Sequence, residues 1–177
     1  MDALILVDLQ NDFCPGGALA VNEGDRVVPI ANALARKFEL VVATRDFHPS
    51  THLSFAVNHP GRHAYDVIDL DGLPQVLWPP HCVQGSAGCD FHPALERAHI
   101  DAVFPKGTDA RIDSYSGFYD NGHRKATGLG DYLQARGVER VWVLGLATDY
   151  CVKWTALDAR TLGLEVHLVE DGCRGVG

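Results

Sequence analysis

Residues 145–151, Gly-Leu-Ala-Thr-Asp-Tyr-Cys, follow an apolar run and deliver Cys151 to the start of a helical pattern. A helix N-terminus presents unpaired N–H groups and partial positive charge, which favour thiolate over thiol and leave donors free for an oxyanion. Taken alone, Cys151 reads more readily as a small buried side chain packing a helix on a sheet. Other segments change that balance. Asp8 closes the first apolar run, and Lys106 closes another. Each has an ordinary explanation, Asp8 as a turn residue and Lys106 as a solvated strand-end charge. Converging from neighbouring strand ends, the three would instead form a nucleophile with a base beside it and a cation to hold the assembly. Such a set suits acyl transfer through a thioester.

Asp46 and His48 lie two apart at the end of a further apolar run. On an extended segment that spacing puts both side chains on one face, within reach of one ion. His81, in the Pro-stiffened Trp78-Pro-Pro-His81, is suited to complete the set. One carboxylate and two imidazoles with open positions fit zinc, iron or manganese in a catalytic role. For the Asp46–His48 pair alone, ligand and loop readings weigh the same. His59, His63, His92 and His99 read as ordinary surface-loop histidines.

These residues need elements to hold them. Runs rich in Val, Ile and Leu at 3–9, 40–44, 102–105, 141–146 and 166–169 mostly lack polar alternation, as strands buried on both faces do. Helical patterns at 26–38, 130–135 and 152–162 lie between them, the last two ending at glycines. Strand and helix in alternation predict an α/β fold, a doubly wound three-layer α/β/α sandwich around a mainly parallel, Rossmann-like sheet. Ligands of such sheets bind at the carboxyl ends of the strands, where Asp8, Asp46, Lys106 and Cys151 fall. Residues 47–88 are rich in Pro, His, Gly and Asn without a sustained period, and are expected as a long functional loop region.

Composition narrows the function classes. At 177 residues with 46% hydrophobic content, the chain is long enough for one domain with a sizeable core. A net charge of −8 with no Lys/Arg cluster argues against a nucleic-acid partner. No apolar stretch reaches the roughly 18 residues of a membrane span, and no basic leader precedes the first strand, so no membrane partner and a cytoplasmic location are expected. The five cysteines are an odd, scattered set without a CxxC pair, which predicts reduced thiols.

Six segments together carry a family resemblance: Val7-Asp-Leu-Gln-Asn-Asp-Phe-Cys-Pro-Gly-Gly17 with Leu19-Ala-Val21, Thr44-Arg-Asp-Phe-His-Pro49, Trp78-Pro-Pro-His-Cys-Val83, Pro105-Lys-Gly107, Tyr115-Ser-Gly-Phe118, and Gly145-Leu-Ala-Thr-Asp-Tyr-Cys-Val152. In this order they resemble the nicotinamidases of the isochorismatase-like cysteine hydrolase superfamily, over nearly the whole chain. The resemblance implies hydrolysis of nicotinamide to nicotinate and ammonia, within NAD salvage, with pyrazinamide as a further substrate. It implies Cys151 as nucleophile, Asp8 as general base and acid, and Lys106 as the cation of the triad. A cis peptide would precede Ala147, and the N–H groups of Ala147 and Cys151 would form the oxyanion hole. Asp46, His48 and His81 match ligands of one divalent metal ion that holds the pyridine nitrogen, zinc first, iron or manganese as alternatives, with His52 as a candidate fourth ligand. Phe13, Trp78 and Tyr115 match aromatic pocket walls. Other amidases of the superfamily, isochorismatase itself, and a non-catalytic metal- or ligand-binding homologue are the competing expectations, and the assembly is a monomer or a homo-oligomer. Family members continue past the segment matching 171–176, so residues 1–177 are expected as one isochorismatase-like hydrolase domain short of its last helix and strand.

Overall fold

A computed structural model describes residues 1–177. In chain order its elements are β1 (Asp2–Val7), α1 (Val27–Ala35), β2 (Leu40–Asp46), β3 (Val67–Leu70), β4 (Leu73–Val76), β5 (Ala102–Lys106), α2 (Leu129–Ala135), β6 (Arg140–Leu146), α3 (Lys153–Thr161) and β7 (Glu165–Arg174). Five strands form one parallel sheet in the order β5-β2-β1-β6-β7. From β1 the chain steps through α1 towards one edge, and from β6 it steps through α3 towards the other. Right-handed crossovers travelled in opposite directions place α1 and α3 on opposite faces, which gives the expected three layers. The direction reverses between β1 and β6, and there the loops beyond the strands part to leave a crevice.

The central strands are buried as expected, with Ala3 to Val7 and Val41 to Ala43 at most 1% exposed. The edges depart from the expectation. β5 alternates between exposed and partly buried positions up to Pro105, and much of β7 is open to solvent, because an edge strand has a neighbour on one side only. β7 also runs on to Arg174, with a register shift opposite Val143 and Gly145. The long irregular segment is not wholly irregular either. β3 and β4 pair antiparallel around Asp71 and Gly72, both at positive φ. An Asp-Gly pair between apolar residues is a two-residue hairpin signal that the sequence carried.

Two backbone features carry the sheet into the site. β1 stops at Val7 rather than running to 9, because Asp8 adopts a left-handed φ of 51° that turns its side chain out of the ladder. Gly145 pairs with Val7, and a Cβ there would lie 2.1 Å from the Val7 carbonyl oxygen. Only glycine lets β6 approach β1 this closely, and β6 leads directly into Cys151.

Candidate active site

Four adjacent strands, in the order β5-β2-β1-β6, supply Lys106, Asp46, Asp8 and Cys151 at or just beyond their carboxyl ends. Asp46 and Lys106 are register partners across β2 and β5. The Lys106 side chain is fully buried, and its Nζ donates to Asp46 Oδ1 at 2.5 Å, to the Ser114 carbonyl at 3.0 Å and to Cys151 Sγ at 3.3 Å. Three bonds use the three protons of an ammonium group. Asp8 Oδ2 lies 2.8 Å from the same Nζ, outside hydrogen-bonding geometry, so the contact is an ion pair. Its other oxygen, Oδ1, accepts from Thr44 Oγ1 at 2.7 Å. A solvated Lys106 is therefore excluded: its charge is buried because two carboxylates offset its desolvation.

Burial and charge compete at each of these groups. Burial pushes the Asp8 carboxyl up, against the opposing pull of Lys106. Burial acts the same way on Asp46, but there Lys106, His48 and His81 together outweigh it and hold the carboxyl well below the usual range. Burial would depress Lys106, yet Asp46 and Asp8 raise it well above its ordinary value. Cys151 differs from its sequence expectation. It sits inside a π-helical turn, Thr148–Val152, where the Val152 N–H donates to the Ala147 carbonyl at 3.1 Å, and burial pushes its thiol well up despite Lys106. Thiol and raised carboxyl thus stand side by side, an arrangement in which a proton can pass from sulfur to oxygen. The peptide between Leu146 and Ala147 is cis.

On the far side of Asp46 lie the histidines. Ligating atoms of Asp46, His48 and His81 fall within 4.8 Å of one another, as do those of His48, His52 and Asp113. His81 Nε2 is 3.6 Å from Asp46 Oδ2, while its Nδ1 contacts the Pro79 carbonyl at 2.9 Å. His48 Nε2 faces Asp113 Oδ1 at 3.2 Å. Burial opposes charging His48, but Asp46 and Asp113 raise its pKa overall. Burial takes His52 down to about 4, so its ring is neutral near pH 7. His52 Nδ1 accepts the Ser54 N–H at 3.0 Å, and its buried Nε2 has no partner.

Above both groups opens a small cleft lined by Phe13, Trp78, Tyr115 and Tyr150, with Ala147, Cys151, Asp46, His81 and Asp113 at its floor. Trp78 and Tyr150 meet edge to face with centroids 5.0 Å apart, and Tyr115 and Tyr150 at 5.4 Å. The Tyr115 hydroxyl accepts from Trp78 Nε1 and Gln75 Nε2, each at 3.3 Å. Flat apolar walls with a few polar groups at one end accommodate a small aromatic ring.

Every residue singled out from sequence as a site candidate falls in this region, with His52 in the group shared with His48 and Asp113. Four functional neighbours were missed. Asp113 is buried against His48, and no local pattern marks it. Gln10 bonds both the N–H and the carbonyl of Asp46 at 2.8 Å, fixing the strand end that presents the carboxylate. Asp12 accepts the Cys82 N–H at 2.7 Å and so holds the loop carrying His81. Tyr150 is the fourth aromatic wall, and its place one residue before the cysteine was the available signal.

Residues 2–177 match the family model described as the isochorismatase domain. A nicotinamidase of Escherichia coli (strain K12) is 54% identical over an alignment of 178 positions that covers 98% of this chain and 83% of the relative. Among solved structures, a nicotinamidase/pyrazinamidase of Acinetobacter baumanii is similar with a TM-score of 0.97 at 49% identity, covering 99% of this chain and 85% of that one. A pyrazinamidase of Pyrococcus horikoshii in complex with zinc is similar with a TM-score of 0.80 at 40% identity, covering 99% of this chain and 87% of that one.

Proposed function

The chain belongs to the isochorismatase family, and we propose that it hydrolyses nicotinamide to nicotinate and ammonia through a thioester on Cys151. The observation that carries this proposal is the buried Lys106 ammonium holding Asp8, Asp46 and Cys151 together at the floor of an aromatic cleft. Asp8 takes the Cys151 proton, which its raised pKa favours. The sulfur attacks the carboxamide carbon, and Lys106 offsets the negative charge that develops beside it. The N–H groups of Ala147 and Cys151 receive the oxyanion, each such donor being worth about 3 kcal/mol. Asp8 returns its proton to the leaving ammonia, and water then hydrolyses the thioester with Asp8 again as base.

The histidine side fits a divalent ion. A carboxylate and imidazole nitrogens suit zinc, iron or manganese, and His52 Nε2 is a buried nitrogen without a hydrogen-bond partner. Asp46, His48 and His81 would hold the ion, with His52 as fourth ligand, and zinc is favoured by the similarity to a zinc-bound pyrazinamidase. Bound there, the ion would supply Lewis-acid attraction for the pyridine nitrogen. Phe13, Trp78, Tyr115 and Tyr150 flank the ring and keep water from it, so that the carboxamide is presented to Cys151. Pyrazinamide has a ring of the same shape and keeps a nitrogen meta to the carboxamide, with a second one ortho to it, so it is a second substrate. With five free thiols, the protein works in the reducing cytoplasm, where its nicotinate returns to NAD synthesis.

Ammonia release from nicotinamide tests this directly, using metal-loaded and chelator-stripped protein beside Cys151→Ala. Release is expected only from the loaded wild type, with Cys151→Ala lower by at least about four orders of magnitude. No release from folded, metal-loaded protein overturns the assignment.

A further inference from the structure

One wall of the cleft comes from a segment outside the six motifs that carry the family resemblance. Val176 lines the cleft with Leu19 and Val21, although it lies beyond the end of β7 at Arg174 and belongs to no strand ladder. A single carboxylate bonds its backbone to the site. The Val176 N–H donates to Asp149 Oδ1 at 3.0 Å, and the Gly177 N–H donates to Asp149 Oδ2 at 3.1 Å. Asp149 belongs to the Thr148–Val152 turn, two residues before Cys151. The turn that presents the thiol therefore also grips the wall, by two charge-assisted bonds to successive amides.

We propose that Asp149 is a positioning residue that keeps Val176 against the cleft and thereby limits the width of the carboxamide that reaches Cys151. The carboxamide rests on the function proposed above, whereas the wall itself does not. Without Asp149 the Val176 and Gly177 amides lose their bonds into this turn, and the segment's hold on the cleft weakens. The half-exposed Val176 side chain would then swing towards solvent and widen the cleft beside Leu19 and Val21.

The test reads the cleft through its own thiol. Wild type, Asp149→Ala and Val176→Ala are alkylated at one pH with iodoacetamide and with the bulkier N-(1-naphthyl)iodoacetamide, and modification is quantified on the peptide containing Cys151. The ratio of bulky to small reagent rates is expected to rise about five-fold in both variants. Amide exchange provides a second measure: the Val176 and Gly177 amides are expected to be protected in wild type and to lose that protection in Asp149→Ala while the central strands keep theirs. A general loosening would not confine its effect in this way. The proposal is overturned if the Asp149→Ala ratio stays within about two-fold of wild type, if Val176→Ala leaves it unchanged, or if the two amides exchange freely in wild type. Should Asp149→Ala not fold, Val176→Ala and the wild-type exchange decide the matter. Alkylation needs only the thiol and the cleft, so failure to release ammonia from nicotinamide would leave this ratio untouched.

Discussion

Around Lys106 the ammonium and both carboxylates have an opposite charge in contact, whereas among the histidines on the other side of Asp46 the neutral, buried His52 ring keeps a nitrogen with no hydrogen-bond partner. The two regions share one carboxylate and are equally buried, yet the charges of one are matched within the polypeptide while a ring nitrogen of the other has neither a counter-charge nor a hydrogen bond. The Lys106 ammonium meets both carboxylates and the Cys151 sulfur at 2.5 to 3.3 Å. The histidine side instead leaves His81 Nε2 3.6 Å from Asp46, too long for a hydrogen bond. The difference separates a cluster whose charges are matched by folding from one that folding leaves with an unpaired buried nitrogen.

Removing the cation breaks the charge-matched region most severely. Lys106→Ala leaves two buried carboxylates without their ammonium, and a loss of about 3–5 kcal/mol in unfolding free energy is expected by denaturant titration, together with loss of activity. A variant of wild-type stability would show that Lys106 is not what holds the cluster together. The histidine region should respond otherwise. His52→Ala removes no ion pair but deletes a buried ring and the acceptor of the Ser54 N–H, so without metal a smaller loss of about 1–3 kcal/mol is expected, while metal affinity falls by about ten- to a hundred-fold, read by competition with a chromophoric chelator. Unchanged affinity would remove His52 from the ligand set.

The pH profile sharpens the contrast further. Asp8 must be ionised to take the Cys151 proton, and burial raises its pKa, so kcat/KM is expected to fall as pH drops through a value above 3.8, the ordinary figure for an aspartate. Thr44→Val deletes a bond that favours the carboxylate and should move this acid limb to still higher pH. A limb at or below 3.8 would contradict the role given to Asp8. The smallest effect belongs to the cleft wall. Tyr115→Phe strips the acceptor shared by Trp78 and Gln75, and KM for nicotinamide should rise about five-fold with kcat nearly constant, since one neutral hydrogen-bond acceptor is worth about 1 kcal/mol.

The two regions were not equally legible in the sequence. Asp8, Asp46, Lys106 and Cys151 each follow an apolar run, so a local pattern combined with the strand-end rule for parallel sheets located them before any coordinates. The buried state of Lys106 was not legible, because a lysine at a strand end is usually solvated and only its partners make burial tolerable. On the histidine side, Asp46, His48 and His81 stood out by residue type and spacing, while Asp113 lies in a loop with no period and meets His48 across 65 residues. The β3–β4 hairpin was missed for a different reason: its Asp71-Gly72 turn was visible, but it sits in a segment whose prolines and glycines read as loop throughout.

By itself the sequence determined which chemical groups stand at the ends of which strands, because apolar run length, Gly145 and the residue closing each run are local properties of the chain. Only the tertiary structure decided that these ends are neighbours. The order β5-β2-β1-β6 joins Lys106 to Asp46 across 60 residues and to Cys151 across 45, and such pairings depend on long-range strand alignment that no local pattern encodes. Once aligned, the strands exclude water, and the same four side chains that would be ordinary surface charges and a plain thiol become one coupled, buried set.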